Sequence, residues 1–398
     1  MMPTLRASRC LDFVTRPNGQ VEITHRLVGK KYLVGPDIFA LLTAWQAPRS
    51  RQDAVADLLG RCTSEEAQRT VRFLEEKNLV VADETDETFF VQRPRQGLFG
   101  LPVLGAPGAT PAAAVLCGLP YGHGNAEDIN CRNFPAHLRH FVQSTNLMRD
   151  PDTLDFGFLD HTTDFAALRQ RLAQHRCLDW GDLRLGLNEG PEAVHEKIYK
   201  AARVLFGAGH QPFFLGGDHS VTWPIVRACA EHYPAFQIVQ FDAHIDVYDG
   251  ASARFGQEPP HHGNFMSCCL ELGAVTVVHQ LGIRGMVNSR PHKHPKQRIT
   301  WASDLTGAIT TLPAIDPTLP VYLTFDIDFL APHTAPGTAT PVPGGPGYAQ
   351  TAELLRRLLP PLHIIGADMV EVNPQRDKDH LTMQVATNLV LTLLNFLA

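Results

Sequence analysis

Three clusters of acidic and imidazole side chains stand where an apolar run ends. They are Gly216-Gly217-Asp218-His219-Ser220, Asp242-Ala243-His244-Ile245-Asp246 and Thr324-Phe325-Asp326-Ile327-Asp328. In extended chain, alternate residues point the same way, so Asp242, His244 and Asp246 can converge on one point, as can Asp326 and Asp328. Adding His219 gives two imidazoles and four carboxylates. Four carboxylates in one crevice repel strongly unless cations neutralise them. Six ligands with bridging carboxylates are enough for two divalent ions, and an oxygen-rich set without thiolate favours Mn²⁺ over structural Zn²⁺. Singly, each cluster also reads as a tight turn, a solvated loop or surface charge. Three of them at strand ends of one domain point to a two-metal centre.

The elements that must hold these clusters are short apolar runs with helical stretches between them. Ala113–Leu119, Phe213–Leu215, Ile238–Phe241, Val275–Leu281, Val321–Phe325 and His363–Val370 have the length of buried parallel strands. Pro191 to Phe206 and Tyr348 to Leu359 read as helices between them. That alternation predicts an α/β fold with a mostly parallel sheet, whose ligand crevice lies beyond the carboxyl ends of the strands.

The first ninety residues follow another rhythm. Leu11 to Val14, Val21 to Leu27 and Lys31 to Val34 read as strands, with a turn at Pro17-Asn18-Gly19. Helices are expected from Pro36 to Pro48, from Ser50 to Gly60, and after Thr63, which has capping-box spacing to Glu66. Leu79-Val80-Val81 closes the pattern as a strand, and the whole is winged-helix-like. A Gly/Pro-dense stretch then begins at Arg93-Pro94 and reads as a linker. The expected division is a small α+β domain over 1–92, a linker over 93–110 and an α/β domain over 111–398.

Composition bounds the partners. A formal net charge of −6 on 398 residues argues against nucleic acid or an anionic membrane and suits a cationic substrate. The opening MMPTLRASRCLDF lacks the apolar stretch of an export signal, and no run is long enough to span a membrane. The eight cysteines have no CxxC spacing and are expected as free thiols in a reducing cytoplasm.

The three clusters resemble the signature segments of the ureohydrolase superfamily, which comprises arginases, agmatinases and related guanidino-acid hydrolases. The third continues through Ala335-Pro336-Gly337-Thr338-Ala339-Thr340-Pro341-Val342-Pro343-Gly344-Gly345. Gly118-Leu119-Pro120, Pro135 to Arg139, Asp179 to Asp182, Gly282-Ile283-Arg284 and Val370 to Pro374 add to the match, which covers about residues 111 to 398. The resemblance implies an arginase-like three-layer α/β domain holding two Mn²⁺ ions. One ion would take His219, Asp242, Asp246 and Asp326. The other would take Asp242, His244, Asp326 and Asp328, with a hydroxide between them as nucleophile. It further implies that Glu371 holds the guanidinium, that His262 shuttles a proton and contacts substrate, and that Asp246 protonates the leaving amine. A trimer or hexamer is implied as well. One position departs from the pattern: Ala331 stands where the family usually has Asp.

Substrate choice is read from two further features. The loop from Val247 to His261 lacks Asn and offers only Ser252, so it resembles the agmatinase branch rather than enzymes that clamp the head of free arginine. The first domain resembles the winged-helix-like recognition elements of ribosomal-peptide (RiPP) modification pathways, in which a leader peptide adds to a sheet edge. Together they imply a peptide arginase that turns peptidyl arginine into ornithine and urea. The alternative is an agmatinase or guanidino-acid hydrolase acting on a small molecule.

Overall fold

Fourteen strands and ten helices are seen in the computed structural model, which describes residues 4–83, 85–145, 164–186, 189–247, 260–286, 293–306 and 312–397. The chain divides into two units, Met1–Phe90 and Val91–Ala398.

The first unit contains β1 (Leu5–Ala7), β2 (Leu11–Thr15), β3 (Val21–His25), β4 (Lys30–Val34), α1 (Pro36–Ala44), α2 (Arg51–Leu59), α3 (Ser64–Glu76) and β5 (Val80–Ala82). β2, β3 and β4 form an antiparallel sheet, while β1 pairs with β5. Helix starts follow local chemistry. Ser50 accepts from the Asp53 amide, and Thr63 and Glu66 close a reciprocal capping box. The inward stripe of α3, Ala67, Val71 and Leu74, joins Leu5, Ile23, Leu42, Trp45 and Leu79 in one core. β1 is the element the sequence reading lacked. Its Arg6 is buried, and Asp83 and Glu87 accept its donors. A charged residue in a three-residue strand hides the apolar signal.

The second unit contains β6 (Val91–Gln92), β7 (Ala114–Gly118), α4 (Phe134–Ser144), α5 (Ala166–Ala173), β8 (Cys177–Leu183), α6 (Pro191–Gly207), β9 (Gln211–Leu215) and α7 (Thr222–His232). It continues with β10 (Phe236–Phe241), α8 (Phe265–Glu271), β11 (Val275–Ile283), β12 (Gln297–Trp301), β13 (Val321–Asp326), α9 (Tyr348–Leu358), β14 (Ile364–Val370) and α10 (Leu381–Phe396). Nine strands make one sheet in the order β12-β11-β10-β13-β14-β9-β7-β8-β6. All its pairs are parallel except β6 with β8. β10, β13 and β14 are buried along their whole length, as strands covered on both faces must be. On one face α4, α5, α9 and α10 pack on Leu116, Phe213, Val239, Phe241, Leu323 and Phe325. On the other, α6 lies so close that a Cβ at Gly366 would stand 3.3 Å from the Phe206 ring.

The stretch expected as a linker is part of this unit. Leu98, Phe99, Leu101 and Leu104 are buried, the Leu98 amide donates to Asp179, and the Asp179 amide donates to the Pro102 carbonyl. Gly and Pro rule out regular structure but not packing, and the apolar residues between them supply the contacts.

Two buried imidazoles make stability depend on pH. His195 on α6 and His279 on β11 are each lowered by burial to about 4, Arg298 adding to the effect at His279. Unfolded, both titrate near 6.5. Their contribution is therefore complete above that value and is lost as pH falls through it toward the folded one. Denaturant midpoints are expected to drop between about pH 7.5 and about pH 5 by an amount worth roughly 1–3 kcal/mol per group, and His279→Gln should flatten the curve. A midpoint unchanged over that interval would refute the assignment.

Candidate metal centre

The candidate ligands come from four adjacent strands, of which only β13 and β14 are neighbours both in the chain and in the sheet. β10, β13, β14 and β9 lie side by side, and their carboxyl ends carry Asp242–Asp246, Asp326–Asp328, Glu371 and His219 respectively. Gly216-Gly217 lets the chain leave β9 sharply. Gly217 has φ +153°, and a Cβ there would stand 2.4 Å from the Tyr121 carbonyl oxygen. Asp246 and Glu371 hold φ of +50° and +59°, left-handed values that cost a side-chain-bearing residue about 1–2 kcal/mol.

The structure brings five of the six expected ligands into two groups that share Asp242. Ligand atoms of His219, Asp242 and Asp246 lie within 4.8 Å of one another, as do those of Asp242, His244 and Asp328. Asp326, expected as a second bridge, joins the first group through its Oδ2, which is 3.2 Å from His219 Nδ1. The same imidazole nitrogen is 3.2 Å from Asp242 and 3.5 Å from Asp246, while His244 Nδ1 is 3.0 Å from Asp328.

Local bonds fix how each ligand presents itself. The Asp242 carboxylate accepts from the His244 amide at Oδ1 and from Gln240 Nε2 at Oδ2, each at 2.7 Å. The Asp326 carboxylate accepts from the Asp328 amide, and Asp328 from the Ala243 amide. Thr324 donates to Asp368 at 2.5 Å, so its Oγ1 accepts from His219 Nε2–H, 2.9 Å away. That leaves Nδ1 facing three carboxylates, which favour a proton there in the metal-free site; a cation would take that proton's place on the Nδ1 lone pair. Nδ1 is buried, and none of those neighbours has the geometry of a hydrogen bond to it. The Nε2–H form is the tautomer a cation needs.

The electrostatics agree. Burial pushes Asp246 and Asp326 well above the usual carboxylate range, with Asp242 and Asp328 adding to it. Burial opposes charge on Asp242 too, but His219 and His244 outweigh it and hold the group down. Around His244, Asp328 and Asp242 overcome burial and favour the imidazolium. Positive charge is what this crevice selects, and a pair of divalent cations would supply it.

Beside the ligands stands Glu371. Its Oε1 accepts from the His219 amide at 2.9 Å, while Oε2 is buried with no hydrogen-bond partner among the described residues. Burial, with Asp218 nearby, raises this carboxyl to about 8. Arg284, the other partner conceivable for Glu371, gives its donors to the carbonyls of Gly282, Asp328, Phe329, Leu330 and Val342. His262 Nδ1 lies 3.7 Å from Glu371 Oε1, and burial, with His261 adding to it, lowers the imidazole to about 4. Ala331 is buried, its amide donating to the Pro346 carbonyl. The loop read for substrate choice lies, from 248 to 259, outside the described residues. Gln240 and Asp368 are not among the residues singled out from sequence, and Thr324 stands in the third cluster there without a role. The only signal available was their place two residues before a ligand or before Val370-Glu371.

Residues 112–395 match the family model described as Arginase family. The agmatinase of Sodalis glossinidius is 33% identical over 314 residues, covering 75% of this chain and 91% of that protein. The agmatinase of Proteus mirabilis is 30% identical over 334 residues, covering 80% and 97%. Among solved structures, a hypothetical agmatinase from Burkholderia thailandensis superimposes with a TM-score of 0.58 at 28% identity, covering 71% of this chain and 84% of that one. The arginase from Medicago truncatula gives 0.53 at 25% identity, covering 71% and 87%. No helix among the described residues is long and apolar enough to cross a membrane.

Proposed function

The chain belongs to the arginase family of ureohydrolases, whose members depend on a dinuclear metal site, and we propose that it hydrolyses a small guanidino compound of the agmatine kind, one without an α-amino-acid head. The observation that carries this reading is the pair of agmatinases at 33% and 30% identity, each matched over more than nine-tenths of its length. They move the small-molecule alternative ahead of the peptide expected from sequence. The loop that lacks Asn supports the same choice, since free arginine would leave its charged head unpaired there.

The ions are proposed to be Mn²⁺, held by His219, Asp242, Asp246 and Asp326 and by Asp242, His244, Asp326 and Asp328, because imidazole and carboxylate without thiolate suit that metal. When bound they supply a water activated for attack at neutral pH. The remaining work falls to side chains. Glu371 Oε2 accepts N–H bonds from the guanidinium and fixes its plane against the ligand cluster. His262, neutral above its lowered pKa, takes up and passes on a proton at the crevice mouth. Asp246 passes to the departing amine nitrogen the proton released by the attacking water. One C–N bond breaks, one C–O bond forms, and the products are an amine and urea.

The second reading is peptidyl arginine converted to ornithine. The observation in its favour is the separate unit Met1–Phe90, which precedes the family match and presents β2 and β4 as the outer strands of an antiparallel sheet. In that reading the unit, acting as a recognition domain over 1–92, takes the leader peptide as an added strand.

A single assay separates them. Urea is measured from agmatine, 4-guanidinobutyrate, free arginine and an arginine-containing precursor peptide at matched concentrations. Agmatine is expected to exceed arginine in kcat/KM by at least about a hundredfold, because an unpaired charged head costs several kcal/mol. Arginine turned over as fast as agmatine would refute the headless substrate. A peptide that loses the mass of cyanamide while agmatine stays intact would select the second reading.

A further inference from the structure

Behind Asp242, three glutamine side chains from three neighbouring strands stand in file. The backbone N–H of His294 donates to Gln297 Oε1 at 2.6 Å, and Gln297 Nε2 donates to Gln280 Oε1 at 2.8 Å. Gln280 Nε2 donates both to Gln240 Oε1, at 2.7 Å, and to the Ile245 carbonyl, at 2.6 Å. Gln240 Nε2 ends the file on Asp242 Oδ2 at 2.7 Å. Gln240 and Gln280 are fully buried and face each other in the β10–β11 register.

A glutamine amide can be turned end for end, but here its direction is forced. The backbone N–H at one end can only donate and the carboxylate at the other can only accept, so every amide between them has one orientation. Such a file is not needed for packing. Ile238 and Val278, two residues earlier on the same face, are apolar and equally buried. Buried amides cost several kcal/mol unless every bond is made, so an apolar pair would be the cheaper filling. What the file does deliver is a fixed donor at the one carboxylate common to both ligand groups, and a fixed carbonyl immediately before Asp246.

We propose that Gln240 and Gln280 are positioning residues of the metal centre, their amide file setting the plane of the Asp242 carboxylate and with it the affinity for the pair of ions. This rests on the metal-centre reading above. It applies to residues that touch neither substrate nor the reacting atoms.

The test uses full-length protein stripped of metal and titrated with Mn²⁺ alone, by calorimetry and by the spin-resonance signal of the free ion. Gln240→Met keeps length and removes the donor, and should weaken Mn²⁺ binding roughly 10–100-fold. Gln280→Met touches no ligand side chain, and should weaken it in the same direction by at least about threefold. Gln237→Met is the control. Gln237 is a buried glutamine on the opposite face of β10 whose amide donates to the Asp316 carbonyl instead. It should lower the melting temperature and leave Mn²⁺ affinity alone. Should Gln240→Met not fold, Gln280→Met and the shorter Gln280→Asn decide. Wild-type affinity in the folded Gln280 variants overturns the proposal, and so does an equal loss in Gln237→Met. Wild-type protein that takes up no Mn²⁺ overturns the metal centre itself, and this inference with it.

Discussion

Asp242→Ala protein, stripped and refilled with Mn²⁺ beside the wild type, is expected to hold fewer ions than the wild-type complement of about two per chain and to release no measurable urea. Asp242 carries this expectation because it is the member common to both ligand groups. Its two oxygens are already divided, Oδ1 toward the His244 side and Oδ2 toward the His219 side. Removing it takes a ligand from each ion at once and leaves the neighbouring carboxylates with less positive charge to share. Asp326→Ala should lose urea release as well, through the contact with His219. Metal content by atomic emission and urea by colorimetry check the pair in one preparation. Asp242→Ala that keeps both its metal and its activity would sink the site. Protein that keeps metal but not activity would leave Asp242 a role in orientation rather than in binding.

The residues of this site were legible because each ligand sits within a few residues of an apolar strand end, where composition changes abruptly from Phe241 to Asp242 or from Leu215 to Gly216. Period-two geometry then says which side chains converge. Their assembly was not legible. β9, β10, β13 and β14 occur in that chain order, yet the sheet places them as β10-β13-β14-β9, an outcome of which faces the helices can cover. Strands with charge in them were missed for a related reason. β8 reads CLDWGDL, and its Asp179 is buried only because Arg139 and the Leu98 amide satisfy it. β12 reads QRITW and lies at the sheet edge, where no apolar run is required. The file of Gln240 and Gln280 shows the same limit from the other side. A glutamine two residues before an aspartate carries no signal until the register puts a second glutamine opposite it.

Glu371→Gln should lower kcat/KM by on the order of a thousandfold while the protein keeps its metal. Gln preserves the shape and the acceptor oxygen but removes the charge, so the loss measures the charge-assisted part of guanidinium binding. Removing one charge of a buried pair costs roughly 3–5 kcal/mol, and the middle of that range, about 4, converts to that factor. Retained metal is part of the expectation because Glu371 stands outside both ligand groups, its Oε1 serving the His219 amide and its Oε2 having no hydrogen-bond partner among the described residues. The pH profile gives a second reading. Burial raises the carboxyl to about 8 in the free protein, and a guanidinium needs the ionised form while itself staying charged throughout. Activity in kcat/KM should therefore rise as pH increases through the Glu371 titration, at a lower pH once nearby cations favour the carboxylate, and the Gln variant should lose that limb. A fall in kcat at unchanged KM with the limb intact would assign the group to proton transfer instead of substrate binding. Loss of metal in the same variant would make Glu371 a support for His219, and the unpartnered oxygen would then need another ligand.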